Sequence, residues 1–398
     1  MTQTSIKIST AEYSHRSEKL LEYLQASGLT GAVIFDNYYI LYLTGFAFIP
    51  TERPIAYLMN SRGERVLFVP RLEVEHASAN AIVDRVEHYL EYPFRPHPME
   101  KLKDLLLEMG IQGKYGADND GYPWVFGYRG PTIRELIGGA LIRLSGFLEN
   151  CMMIKSPAEI LLIRESVKWG HLAHTLLQRY TLVGASETEV SQQASIEATL
   201  TLLDTIGPIY RAMSPFSSGA EAGYRGQIGR NAANPHSLSS NIRFQPGDVL
   251  VTGASALVWG YNSELERTMI VGKASTDQEK FFTHMMNLQE TTFTALRPGV
   301  KCSEVDFKVR AYYEENQLMP YWKHHVGHAI GLRYHEGPFL DLGDETEIQP
   351  GMVFTVEPGL YVPELGGFRH SDTVLITEEG VEILTYYPRD LESLTIPA

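Results

Sequence analysis

Cysteine is scarce in this chain: two residues, Cys151 and Cys302, among 398. Two thiols cannot build a disulfide framework, so a reducing compartment is expected and the core has to hold the fold. Long apolar runs are missing too. No stretch approaches the roughly 18 residues that span a bilayer. The opening MTQTSIKISTAEYSHRSEK has no apolar signal core. These absences predict a cytoplasmic protein with no membrane partner. Basic residues are outnumbered, with 34 Lys and Arg against 48 Asp and Glu and a net charge of −14. Phosphate backbones are bound by clustered Lys and Arg, so a nucleic acid partner is disfavoured. The acidity suits a salt-rich cytoplasm or a cationic ligand, and by itself says nothing about a reaction. Low-complexity segments and short repeats are also absent, which argues against a solenoid.

What is present reads as an ordinary globular protein, 44% hydrophobic and 21% charged, long enough for two or three domains. Apolar spacing over 11–27, with Leu20, Leu21 and Leu24, predicts an amphipathic helix. Ala32–Phe35, Ile40–Leu43, Ile55–Leu58 and Val66–Val69 are short apolar runs, most bounded by turn residues such as Asp36, Asn37 and Gly45, and predict strands. Helical stretches follow at 72–81 and 98–109. Near residue 150 the text changes. Ser156, Pro157 and Glu159 fit the N-cap, N1 and N3 positions of a helix running to about Leu182. Another helix covers 187–203, strand-like runs Val249–Thr252 and Thr268–Val271 flank a Gly260-Tyr261 turn, and a further helix occupies 276–296. Periodicity alone gives a mixed α/β protein, with domains at 1–150 and 151–398.

Three segments are more specific: GDVLVTGASALVWGYNSELERT at 247–268, HHVGHAIGLRYHEGP at 324–338 and GMVFTVEPGLYVPELGGFRHSD at 351–372. In order, spacing and flanking glycines they resemble the pita-bread enzymes: aminopeptidase P, prolidase, methionine aminopeptidase and creatinase. Tyr42-Leu43-Thr44-Gly45-Phe46 and the IKSPAEI segment are similar to that family's N-terminal signature and interdomain junction. The resemblance implies an α/β chain: a small creatinase-like N-terminal domain followed by a pita-bread (α+β) catalytic domain. The peptidases of the family place five metal ligands in these segments, in the order Asp, Asp, His, Glu, Glu. The matching positions here are Gly253, Glu264, His328, Glu357 and Ser371. Glycine has no ligand atom and a serine hydroxyl is a poor substitute for a bridging carboxylate. The expectation is therefore no metal and no cofactor, with a single ion on Glu264, His328 and Glu357 as the alternative.

Creatinase, the metal-free member, resembles this chain without a gap over 247–268 and shares the string Leu265-Glu266-Arg267-Thr268. Carried over residue by residue, its functional glutamates fall on Glu266 and Glu357, and its catalytic histidine on His236. A lone histidine after Asn-Pro is ordinarily a surface turn residue; the matched spacing favours catalysis. His328, His335, Glu264 and Tyr334 are expected to contact substrate. Arg53, before Pro54, matches an arginine that reaches a neighbouring subunit's site and binds a substrate carboxylate. That implies a homodimer with shared sites and a small zwitterionic substrate. Thr51 departs from the creatinase pattern. His324, His325 and His370 are left without roles, Trp259 is a candidate pocket wall, and Cys302 reads as structural.

Without a metal, paired glutamates and a histidine suit a carbon that is already cationic, such as an amidinium. Among members with this loss the chain is most similar to ectoine hydrolase. That implies metal-independent opening of a cyclic amidine to an N-acetylated diaminobutyrate, with one glutamate as nucleophile or base. The alternatives are a creatinase-type guanidine hydrolase, an Xaa-Pro peptidase with a residual metal, a carbon–sulfur lyase of the same fold, and a non-catalytic peptide-binding module.

Overall fold

The computed structural model describes residues 6–123 and 126–398. Its contacts separate two units, one made of Lys7–Met152 with Met213–Phe216, the other chiefly of Met153–Ala212 and Ser217–Ala398. Among the described residues, no helix is long and apolar enough to cross a membrane.

The smaller unit is built on a six-stranded mixed sheet. Its spatial order is Arg85–Tyr89, Arg65–Pro70, Ala56–Asn60, Gly31–Ile34, Lys114–Ala117, Ala140–Arg143. Val33, Leu58 and Phe68 from its strands pack with Met99, Leu102 and Leu106 of helix Pro98–Glu108. One expectation fails here. Ile40–Leu43, expected as a strand, lies inside helix Asn37–Thr44. Asp36 is its N-cap, accepting from the amides of Tyr38 and Tyr39, and Gly45 closes it in the left-handed conformation at φ 73°. A four-residue apolar run buried on all sides has no period to distinguish strand from helix.

The larger unit opens with helix Pro157–Tyr180. Its start follows the sequence signal: Ser156 and Glu159 form a reciprocal capping box with Pro157 in the first turn. This helix and the next, Glu187–Ile206, pack together and against the main sheet. The sheet's path runs Glu336–Leu340, Gly327–Ala329, Val353–Val356, Ser371–Thr377, Leu265–Glu266, Gly253–Leu257, Gly219–Gly223. Helices Thr276–Ala295 and Cys302–Glu315 complete the unit.

Register puts the site in place. Val356, Asp372, Leu265, Ala254 and Ala222 are successive partners across four neighbouring antiparallel pairs. Strand side chains alternate between faces, so positions one step off this row share the opposite face. Those positions are Glu357, Ser371, Glu264 with Glu266, Gly253 and Gly223. Residues far apart in sequence are thereby set side by side. Behind them Arg267 is fully buried. Its five N–H groups donate to the carbonyls of Glu266, Ser371, Tyr387 and Pro388 and to Asp372 Oδ1.

Candidate functional site

Glu264, His328 and Glu357 converge, each offering a ligand atom within 4.8 Å of the others. A register shift between His328 and Ala329 re-aims the histidine out of the regular ladder. Its Nδ1 donates to the Ala329 carbonyl at 2.9 Å, and its Nε2 stands 3.2 Å from Glu357 Oε1. The Ser371 hydroxyl donates to Glu264 Oε1 at 2.6 Å. Burial, then Glu357 and Glu266, push the Glu264 carboxyl up to about 8. Burial opposes the charge on Glu357, but the hydrogen bond and charge of His328 outweigh it and hold Glu357 well below the usual carboxylate range.

Glu266 lies beside this cluster but in a different setting. Both its oxygens take N–H groups from Arg369, Nη2 at 2.7 Å and Nε on the other oxygen. Arg225 Nη2 also donates to it. Arg369 is braced in turn by the Tyr361 hydroxyl at 2.9 Å, which His324 Nε2 meets at 2.6 Å. Glu266 is thus clasped by two guanidiniums rather than open as a base.

His335 stacks on His328, and Tyr334 next to it lines a cavity of about 750 Å³ together with Arg225, Gly253 and Ser255. The segment carrying both is fixed by Glu336, which is buried against Lys155 Nζ at 2.8 Å and accepts the Arg333 amide at 2.9 Å. His236 is exposed on its turn and reaches the site only as a weak electrostatic influence on His335. Arg53 sits in the other unit, held there by Glu52 at 2.6 Å and Glu91 at 2.7 Å. His370 is structural: its Nδ1 accepts the Thr268 amide and its Nε2 faces the Arg389 carbonyl. Cys302 is buried, and burial pushes its thiol up to about 12, which removes it as a nucleophile. Trp259 donates its indole N–H to the Ile209 carbonyl.

Sequence reasoning missed Arg225, Arg369 and Tyr361. For Arg369 a signal was available, because it stands two residues before Ser371 in a segment already singled out. Arg225 has no ligand motif around it.

These features define a two-domain protein whose larger domain carries a buried histidine–glutamate cluster on an antiparallel sheet. Residues 162–378 match Metallopeptidase family M24, and residues 16–151 match the Creatinase/Prolidase N-terminal domain. The chain belongs to the M24 family, with the expected creatinase-like and pita-bread domains. It is 28% identical to an Xaa-Pro dipeptidase of Pyrococcus horikoshii, covering 95% of this chain and 99% of the relative. It is 27% identical to the putative dipeptidase YkvY of Bacillus subtilis, with 95% and 99% covered. The fold is shared with the dipeptidase PepE of Mycobacterium ulcerans at a TM-score of 0.82, 24% identity and coverage of 98% and 100%.

These comparisons correct the functional expectation. Ectoine hydrolysis, a role in ectoine degradation, and metal-independent cleavage of a non-peptide C–N bond are overturned. The full-length relatives include Xaa-Pro dipeptidases, and the family is one of metallopeptidases. The physical reason lies in the site. Losing ligand atoms at 253 and 371 leaves the other three still converging on one point.

Proposed function

We propose that the chain is a dipeptidase-type hydrolase that cleaves the C–N bond of small Xaa-Pro-like peptides, using one divalent cation. The observation that carries this reading is the convergence of Glu264, His328 and Glu357. With Nδ1 committed to the Ala329 carbonyl, the buried His328 Nε2 is the nitrogen turned toward the carboxylates, 3.2 Å from Glu357 Oε1. Once a cation displaces its proton, that imidazole nitrogen beside two carboxylates is a metal-ligand donor set. The fit stops at one cation. A Cβ placed on Gly253 would lie 3.5 Å from Arg225 Nη2, so a second cation there would meet a fixed positive charge.

When bound, the cation would polarise the substrate carbonyl and acidify a water molecule. The chain's own residues do the rest. Glu357 is the most accessible member of the cluster, 9% exposed against 4% for Glu264 and 0% for His328. It is placed to take a proton from water and pass it to the leaving nitrogen. His335, kept neutral, offers an N–H to a substrate oxygen. Glu266 fixes the two guanidiniums and Tyr334 shapes the cavity wall.

Metal analysis joined to a substrate screen tests the proposal. One divalent cation per chain is expected, with Xaa-Pro hydrolysis lost on chelation and restored by Mn²⁺. Metal-loaded protein that cleaves no Xaa-Pro dipeptide would sink it. Assembly as a homodimer belongs to the same proposal, and sedimentation velocity decides it.

A further inference from the structure

Arg225 has a backbone φ of 52°, the left-handed region that side-chain-bearing residues adopt only where the surroundings impose it. The surroundings here are explicit. The amide of Gly226 donates to Glu187 Oε2 at 2.8 Å, and the other oxygen of that buried carboxylate takes the amides of Ser240 at 2.6 Å and Ile242 at 3.4 Å. Three backbone groups from two segments are pinned to one side chain, so the turn at Arg225 is a fixed device.

The turn aims the guanidinium past Gly253 toward Glu266. Only Nη2 is used, donating to Glu266 and, at 3.3 Å, to Gln227 Oε1. Nε and Nη1 have no hydrogen-bond partner among the described residues. The side chain is 49% exposed and lines the cavity with Ser255 and Tyr334. An acidic side chain at 253 would reach this guanidinium and satisfy it, whereas glycine leaves it open.

We propose that Arg225 is the group that binds a carboxylate of the substrate. A guanidinium with N–H donors facing a cavity is matched by a carboxylate oxygen, and the hydrogen bonds so formed are charge-assisted. Arg53, the arginine that the sequence offers for this role, is already engaged by Glu52 and Glu91. The inference deepens the proposed function and rests on the same site, assigning Arg225 to the free C-terminus of an Xaa-Pro-like substrate. Glu187 is a positioning residue for it.

The test is calorimetric binding of proline and prolinamide to the metal-loaded protein. The wild type is expected to bind the acid at least about tenfold tighter than the amide, as one charged hydrogen bond warrants. Arg225→Gln should erase that ratio while leaving prolinamide affinity unchanged, and raise KM for Ala-Pro with little change in kcat. Arg225→Lys keeps the charge and should retain part of the ratio, which guards against misfolding of the glutamine variant. Equal binding of acid and amide by the wild type, binding of neither, or an unchanged ratio in Arg225→Gln overturns the assignment. A wild type that discriminates through Arg225 yet cleaves no Xaa-Pro peptide leaves the assignment standing and removes the peptidase reading.

Discussion

The rings of His328 and His335 lie face to face, centroids 3.8 Å apart and planes 18° from parallel. Two imidazoles in contact resist carrying two charges. Burial works against a proton on His328, but the hydrogen bond to Glu357 and the charges of Glu264 and Glu357 prevail and raise it to about 9. Burial, then the charge on His328, push His335 down to about 4. The stack therefore holds one positive charge, on the His328 side, and a neutral, exposed ring on the His335 side.

His335→Phe keeps the stack and removes the donor. If the neutral ring serves a substrate oxygen, kcat falls by roughly 10²-fold with KM little changed. Steady-state kinetics on Ala-Pro decides this, and a pure KM effect would assign His335 to binding alone.

His328→Ala removes the only nitrogen of the cluster. Such protein should lose its bound cation by elemental analysis. A ligand at about 100 times its Kd stabilises by about 2.7 kcal/mol, so Mn²⁺ should raise the wild-type Tm and leave that of the variant unmoved.

Asp372 and Arg267 form a fully buried pair at 2.7 Å. Burial alone would raise the Asp372 carboxyl, but the charge and hydrogen bond of Arg267 and the hydrogen bond from Thr385 leave it lowered. A lowered carboxylate contributes stability above its unfolded value, about 3.9, and loses it as pH falls through the folded value. Asp372→Asn should flatten the wild type's loss of Tm below about pH 4. At neutral pH it should cost about 3–5 kcal/mol, because Arg267 is left buried without its partner.

Gly327 precedes His328 on its strand. A Cβ there would sit 2.1 Å from the Thr355 carbonyl oxygen, a backbone atom that cannot swing aside. Gly327→Ala should cost about 1–3 kcal/mol by denaturant unfolding. It should also weaken cation binding, since the strand must shift at the ligand.

Local chemistry was legible in the sequence wherever it was local in fact. The Ser156–Glu159 box marks its helix because each partner is three residues from the other. Asp36 is an equally local cap, but the apolar run behind it hides the helix. Glu264, His328 and Glu357 can be found by spacing. The clasp on Glu266 cannot, because Arg225 and Arg369 come from positions 41 and 103 residues away and meet it only through strand register. The same limit misdirects the chemistry. Spacing shows that two ligand positions are gone; only the folded sheet shows that the other three still face one another.

Arg267 links the strand of Glu264 and Glu266 to carbonyls as far as 121 residues downstream. On the ribosome, this guanidinium emerges long before the residues that satisfy it. The segment bearing two site glutamates must wait, its arginine unpaired, until Tyr387 and Pro388 have been made. The smaller unit can fold early in synthesis. The face that carries the cluster is finished only after them, and a chain ending before Tyr387 would contain every residue of the cluster without the partners that hold its strand in place.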